Sequence, residues 1–144
     1  KIANLVAIAR SASLAKQSGA SMLFLPENCG FLGENAAQTL HEAEPIKEEG
    51  EENSINSNDR MKRHLIHSTL REVVNSSSLT EGNDLLPGIV KNLKEQMNCK
   101  DSGCGAVIVD GLKCIARESG LWISAGGIHE AGAPPFLDGD NTTS

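Results

Sequence analysis

The sequence predicts an α/β fold, and three observations carry that prediction. A helical apolar stripe, a glycine and a short all-apolar run follow one another near the start of the chain. The same succession returns near its end. The chain's 144 residues, 39% hydrophobic and 22% charged, are the size of one domain. Aromatic residues make up 3%, with one Trp and no Tyr, so the core must rest on Leu, Ile, Val and Ala.

In the first unit, Ile2, Leu5, Ile8, Ala9, Ala12 and Ala15 fall in steps of three and four and make one face of a helix ending near Lys16. Gly19 stands where a left-handed C-cap is wanted. Met22-Leu23-Phe24-Leu25 lacks polar alternation and predicts a strand covered on both faces, ended by Pro26. In the last unit, Ile108, Leu112, Ile115 and Ala116 form a helix face, capped by Gly120. Gly111 weakens that helix by up to about 1 kcal/mol, and Ala106 to Val109 could instead form a short strand; helix is the preferred reading. Leu121 to Ala125 is then a second buried strand, closed by Gly126-Gly127.

The middle differs. Lys47 to Ser57 carries four Glu with almost nothing apolar and is expected to be solvated and mobile. Met61, Leu65, Ile66, Leu70, Val73 and Val74 predict a helix with Asp59 as N-cap, broken at Asn75 to Ser78. Leu86, Ile89, Val90, Leu93 and Met97 predict another, with Pro87 in its first turn, followed by a turn at Lys100 to Gly103.

Thirteen basic against nineteen acidic residues give a net charge of −6, which argues against a nucleic-acid-wrapping protein. No apolar run approaches a membrane span. No charged-then-apolar leader precedes the first helix, so a cytoplasmic location is expected, with a mitochondrial one as the alternative. The chain opens at Lys1 already in helical pattern, and is expected to be part of a longer protein.

Among groups able to do chemistry, Glu27 stands out. It lies just past the C-terminal end of a predicted strand, where ligands and catalytic groups of α/β sheets gather. Apolar walls there would disfavour its charged form and suit it to act as a general base. A solvated loop carboxylate is the other reading. The four Cys are too few for a disulfide scaffold. Cys99, Cys104, Cys114 and His129 match known zinc spacings poorly, so ordinary thiols are the preferred reading, with Cys114 facing the core. His64 and His67 share a helix face with Arg60, Lys62 and Arg63, which reads as a solvated basic face, with no metal expected. Asn75-Ser-Ser and Asn141-Thr-Thr match the glycosylation pattern by chance.

Gly19-Ala-Ser-Met-Leu-Phe-Leu-Pro-Glu27, then Phe31-Leu-Gly33 and Ala43-Glu-Pro45, resembles the opening of the nitrilase, or carbon–nitrogen hydrolase, superfamily. Ala116 to Glu130 is similar to the second strand region of that family, and Gly126-Gly-Ile-His129-Glu130 most resembles its deaminated glutathione amidases. The resemblance implies a four-layer α-β-β-α sandwich, incomplete in this chain, with matching blocks at 1–46 and about 106–132. The segment of about 47–105 would be an insertion or a mis-spliced stretch of the gene. Also implied is a Glu–Lys–Cys mechanism in which a thiolate attacks an amide carbon to form a thioester. Glu27 occupies the general-base position, and no role is assigned to His129 or Glu130. The family's Lys motif and its Cys-x-(Asp or Glu)-x-Arg motif do not occur among the 144 residues. The implied partners are a small amide substrate and, for the whole protein, a second copy of itself; no cofactor, nucleic acid or membrane is implied. A non-catalytic piece that associates with a complementary chain, and a cysteine-based metal or redox module, are the rival readings.

Overall fold

The computed structural model describes residues 1–30, 39, 44–45, 56–76, 85–99, 107–126 and 130–131. The described elements are α1 (Ile2–Gln17), β1 (Met22–Phe24), β2 (Glu44–Pro45), α2 (Ser57–Asn75), α3 (Leu85–Gln96), α4 (Ile108–Ser119), β3 (Trp122–Ser124) and β4 (Glu130–Ala131). Most of the described chain is helical, with short parallel strands, which fits an α/β class loosely. Residues 47–55 of the acidic stretch Lys47 to Ser57, the turn expected at 100–103, Cys104 and His129 lie outside the described residues.

Helix α1 buries the stripe its spacing predicts, Ile2, Leu5, Ile8, Ala9 and Ala12, together with Val6. It closes on Gly19, whose φ is +76°. The Ala20 N–H donates to the Ala15 carbonyl at 3.0 Å and that of Gly19 to Lys16 at 3.1 Å, the two bonds of a Schellman motif. Helix α3 ends the same way without glycine. Asn98 takes a φ of +48°, while Cys99 N–H donates to Lys94 and Asn98 N–H to Glu95. Asn tolerates this conformation better than other non-glycine residues. At α2 the N-cap is Asn56, not Asp59: Asn56 Oδ1 accepts from the Asp59 N–H at 2.8 Å. Asp59 instead sits in the first turn, where its charge favours the helix dipole.

Helix α1 touches α2, α3 and α4, and α2 also packs on α4. The core joins the α1 stripe to Ile66, Leu70, Val73 and Val74 of α2, Leu93 of α3, Met97 just after it, and Ile108, Leu112, Cys114 and Ile115 of α4. Both helices drawn from the 57–96 region therefore pack on α1, and α2 packs on α4 as well. Gly111 allows α4 its close approach to α1. A Cβ there would lie 2.5 Å from Leu5 Cδ2 and 2.7 Å from Cδ1. Val107 is the extended N-cap of α4, and Ile108 and Val109 already lie in the helix, so the helix reading holds at these residues.

Strands β1 and β3 pair in parallel, Met22 with Trp122, Leu23 with Ile123 and Phe24 with Ser124. β2 and β4 pair in parallel as Glu44 with Glu130 and Pro45 with Ala131. The expectation that both strands are covered on two faces is corrected. Leu23 and Ile123 lean on the helical core, but Met22, Phe24 and Trp122 are 45%, 74% and 76% exposed. The continuous apolar run has the composition of a strand between two layers, and the described residues supply only one of them.

Candidate functional site around Glu27

Glu27 sits where the ladder of β1 and β3 ends. Leu25 N–H still donates to the Ser124 carbonyl at 2.9 Å. Pro26, with no N–H, breaks the pattern, and the chain turns through Asn28 at a φ of +57°. Two contacts fix this turn. The Asn4 side chain donates through Nδ2 to the Gly30 carbonyl at 2.8 Å. Gly30 is itself buried so closely on α4 that a Cβ there would lie 2.9 Å from Ile108 Cγ2.

The strongest constraint comes from the other strand. A Cβ on Gly126 would meet Glu27 Cα at 2.6 Å, Glu27 N at 3.0 Å and the Pro26 carbonyl oxygen at 3.1 Å. The exit of β3 thus presses directly on the backbone of Glu27, and only glycine allows that approach. The Glu27 side chain is exposed, and among the described residues its carboxylate has no hydrogen-bond or ion-pair partner. The apolar walls expected around it are therefore not supplied by the described residues. What they give is a carboxylate on a braced backbone, free to reach a proton at the strands' C-terminal end.

Among the described residues, the other candidates are not drawn to Glu27 as a cluster. Cys29 is a half-buried free thiol that packs against the core. Cys114 is buried, as its place in the apolar stripe predicts. Burial pushes its thiol up, the Glu118 charge adds to this, and Arg71 and Arg117 oppose it. A thiol held protonated is a poor nucleophile. Cys99 is disulfide-bonded, which corrects its reading as an ordinary thiol and removes it from the zinc set considered with Cys104, Cys114 and His129. Disulfides persist mainly in oxidising compartments, a point the cytoplasmic expectation has to meet.

The basic face of α2 is only partly solvated, which corrects the sequence reading. His64 is exposed, but Arg63 Nε donates to Asp110 Oδ2 at 2.6 Å, and Arg63 Nη2 to Oδ1. His67 Nε2 meets Asp110 Oδ2 at 2.8 Å, and Arg71 Nε donates to Glu118 Oε1 at 3.0 Å. Burial pushes the Asp110 carboxyl up, yet the Arg63 hydrogen bond and the charges of His67 and Arg63 outweigh it and leave it below the ordinary carboxylate range. Three α2 residues spaced by four thus clasp two α4 acids spaced by eight. That matched periodicity was visible in the sequence, and only the pairing of the helices was missing. Asn4 gave no sequence signal, and Gly126 was read only as the closure of the second strand; their contacts with the Glu27 turn act across long separations.

Among the described residues no helix is long and apolar enough to cross a membrane. No protein-family model matches the chain, and neither characterised proteins nor solved structures provide a match.

Proposed function

We propose that the chain is part of a carbon–nitrogen hydrolase, an amidase acting on a small carboxylated amide of the deaminated glutathione kind, with Glu27 as its general base. The observation that supports this reading is the parallel ladder. It brings the two family-like blocks together at β1 with β3, and again at β2 with β4, although a long intervening segment separates them. Gly126 of the second block then seats the Glu27 backbone of the first. In this reading Glu27 takes the proton of a thiol nucleophile, the thiolate attacks the amide carbon, and a lysine stabilises the oxyanion. The thiol and the lysine come from the family's other motifs, which the 144 residues do not contain. The proposed architecture is a four-layer α-β-β-α sandwich, and the exposed Met22, Phe24 and Trp122 mark the sheet face on which its second sheet would pack. A cytoplasmic or mitochondrial setting and a homo-oligomeric whole protein belong to the same proposal.

The same bare face favours the rival reading, a non-catalytic piece completed by another chain. The test is hydrolysis of deaminated glutathione and simple ω-amides by the product of the whole open reading frame that contains this sequence. Glu27→Gln is expected to lower kcat/KM by about 10²- to 10⁴-fold with Tm unchanged, while the 144-residue chain alone shows no turnover. Activity per folded molecule unaffected by Glu27→Gln would refute the assignment. Turnover by the chain alone that is lost in Cys29→Ala would place the nucleophile at Cys29 instead.

A further inference from the structure

A groove of about 880 Å³ lies between the start of α1 and helix α3. Ala3, Leu86, Pro87 and Val90 give it an apolar lining, and Lys91, Lys94 and Glu95 stand along it. Its size falls within the range of small-molecule sites. It is separate from the Glu27 turn. Ala3 lines the groove, whereas Asn4, about 100° further round the helix, is the residue bonded to Gly30.

The charges along the groove are unequal. Lys91 Nζ lies 3.9 Å from Glu95 Oε1, with the lysine N-terminal to the acid, the less favourable order on a helix. Lys94 is half-buried, and among the described residues no carboxylate partners it. Lys94 stands in the last turn of α3, where the helix dipole favours a cation. A lysine beside an apolar lining with no carboxylate on it is complementary to an anion that carries its own apolar part. The net −6 of the chain disfavours a polyanion and leaves this rim as a local exception.

We propose that the groove between α1 and α3 binds a free, single-tailed carboxylate. Its aliphatic part lies on Leu86, Pro87, Val90 and Ala3, and its head group lies at Lys94 with Lys91 beside it. The inference stands on this groove alone and does not depend on the hydrolase reading.

Calorimetric titration of the 144-residue chain with decanoate below its micelle concentration tests it, beside decyltrimethylammonium and anionic phosphatidylglycerol vesicles. Decanoate is expected to bind saturably at one site and the cation to bind at least about tenfold more weakly. Lys94→Glu is expected to cost decanoate about tenfold or more, with Lys94→Gln intermediate. Val90→Phe, which fills the groove, should abolish binding with the helical circular dichroism unchanged. The single tryptophan, Trp122, lies on the bare sheet face and reports the competing location. Quenching of Trp122 by decanoate, or loss of binding in Trp122→Ser, would overturn the proposal. So would equal binding of anion and cation, indifference to Lys94→Glu, or binding to the vesicles but not to free decanoate.

Discussion

Replacing Gly111 by alanine opposes two effects of known sign. In an exposed helix the change would stabilise by up to about 1 kcal/mol, because alanine loses less backbone entropy. Here the new methyl would stand 2.5 Å, 2.7 Å and 3.1 Å from Cδ2, Cδ1 and Cγ of Leu5. Carbon atoms rest at about 3.5 to 4.0 Å, so Leu5 must retreat by roughly 1 Å. Leu5 is fully buried on α1 and has no solvent to retreat into. Overpacking of this kind costs about 1 to 3 kcal/mol, which leaves Gly111→Ala net destabilising by about 1 kcal/mol. The sign should reverse once the obstacle is removed. Leu5→Ala alone is expected to cost about 2 to 5 kcal/mol. Within that background, Gly111→Ala should stabilise by about 1 kcal/mol, giving a favourable coupling of roughly 2 kcal/mol. Urea unfolding of the four proteins, followed by helical circular dichroism, measures the cycle. Equal stabilisation by Gly111→Ala with and without Leu5 would show that α1 and α4 do not approach as described.

Two further outcomes follow from the helix contacts. The Asp110 carboxyl is depressed in the folded chain, so its contribution is complete above the unfolded carboxyl value of about 3.9 and is lost as pH falls through the folded value. The urea midpoint should therefore fall on acidification from about pH 5 towards pH 3, and Asp110→Asn should flatten that fall while lowering the midpoint at neutral pH. Asn56→Ala removes the acceptor of the Asp59 N–H and should destabilise by about 1 kcal/mol; Asp59→Asn, which keeps that N–H, should lose less in the same unfolding assay.

The helices were legible in the sequence because their signals are local. The stripe of α1, its Gly19 cap, the break after Asn75, Pro87 in the first turn of α3 and the Gly120 cap all stand as spacing and turn chemistry imply. The Asn56 cap was missed because Asp59 is an equally good capping type, and the two are told apart only by where the backbone leaves the helix. Asn98 was missed because glycine is the usual residue in its conformation. Strands β1 and β3 were placed correctly but their burial was misread, and the two-residue strands β2 and β4 were not foreseen. An apolar run states that two layers are wanted, not that both are supplied by the same residues. For the site, Glu27 was identified from its position after a strand, whereas its bracing by Gly126 and Asn4 depends on contacts that no local pattern encodes. The clasp of Asp110 by Arg63 and His67 is hidden for the same reason: a charged helix face looks alike whether it meets water or another helix.

The partners in the ladder of β1 and β3 stand one hundred residues apart, from Met22 to Trp122, and this separation governs when the sheet can exist. At a synthesis rate of about 5 to 20 residues per second, β1 leaves the ribosome roughly 5 to 20 seconds before its partner. During that interval Met22-Leu23-Phe24-Leu25 is an unpaired apolar edge, the type of segment that recruits other chains. The residues between β1 and β3 lengthen the delay far more than they weaken the result, because each doubling of a closed loop costs only about 0.6 kcal/mol. The separation itself therefore acts chiefly on the nascent chain, as time spent sticky, whereas in the finished molecule the helices that fill it belong to the core.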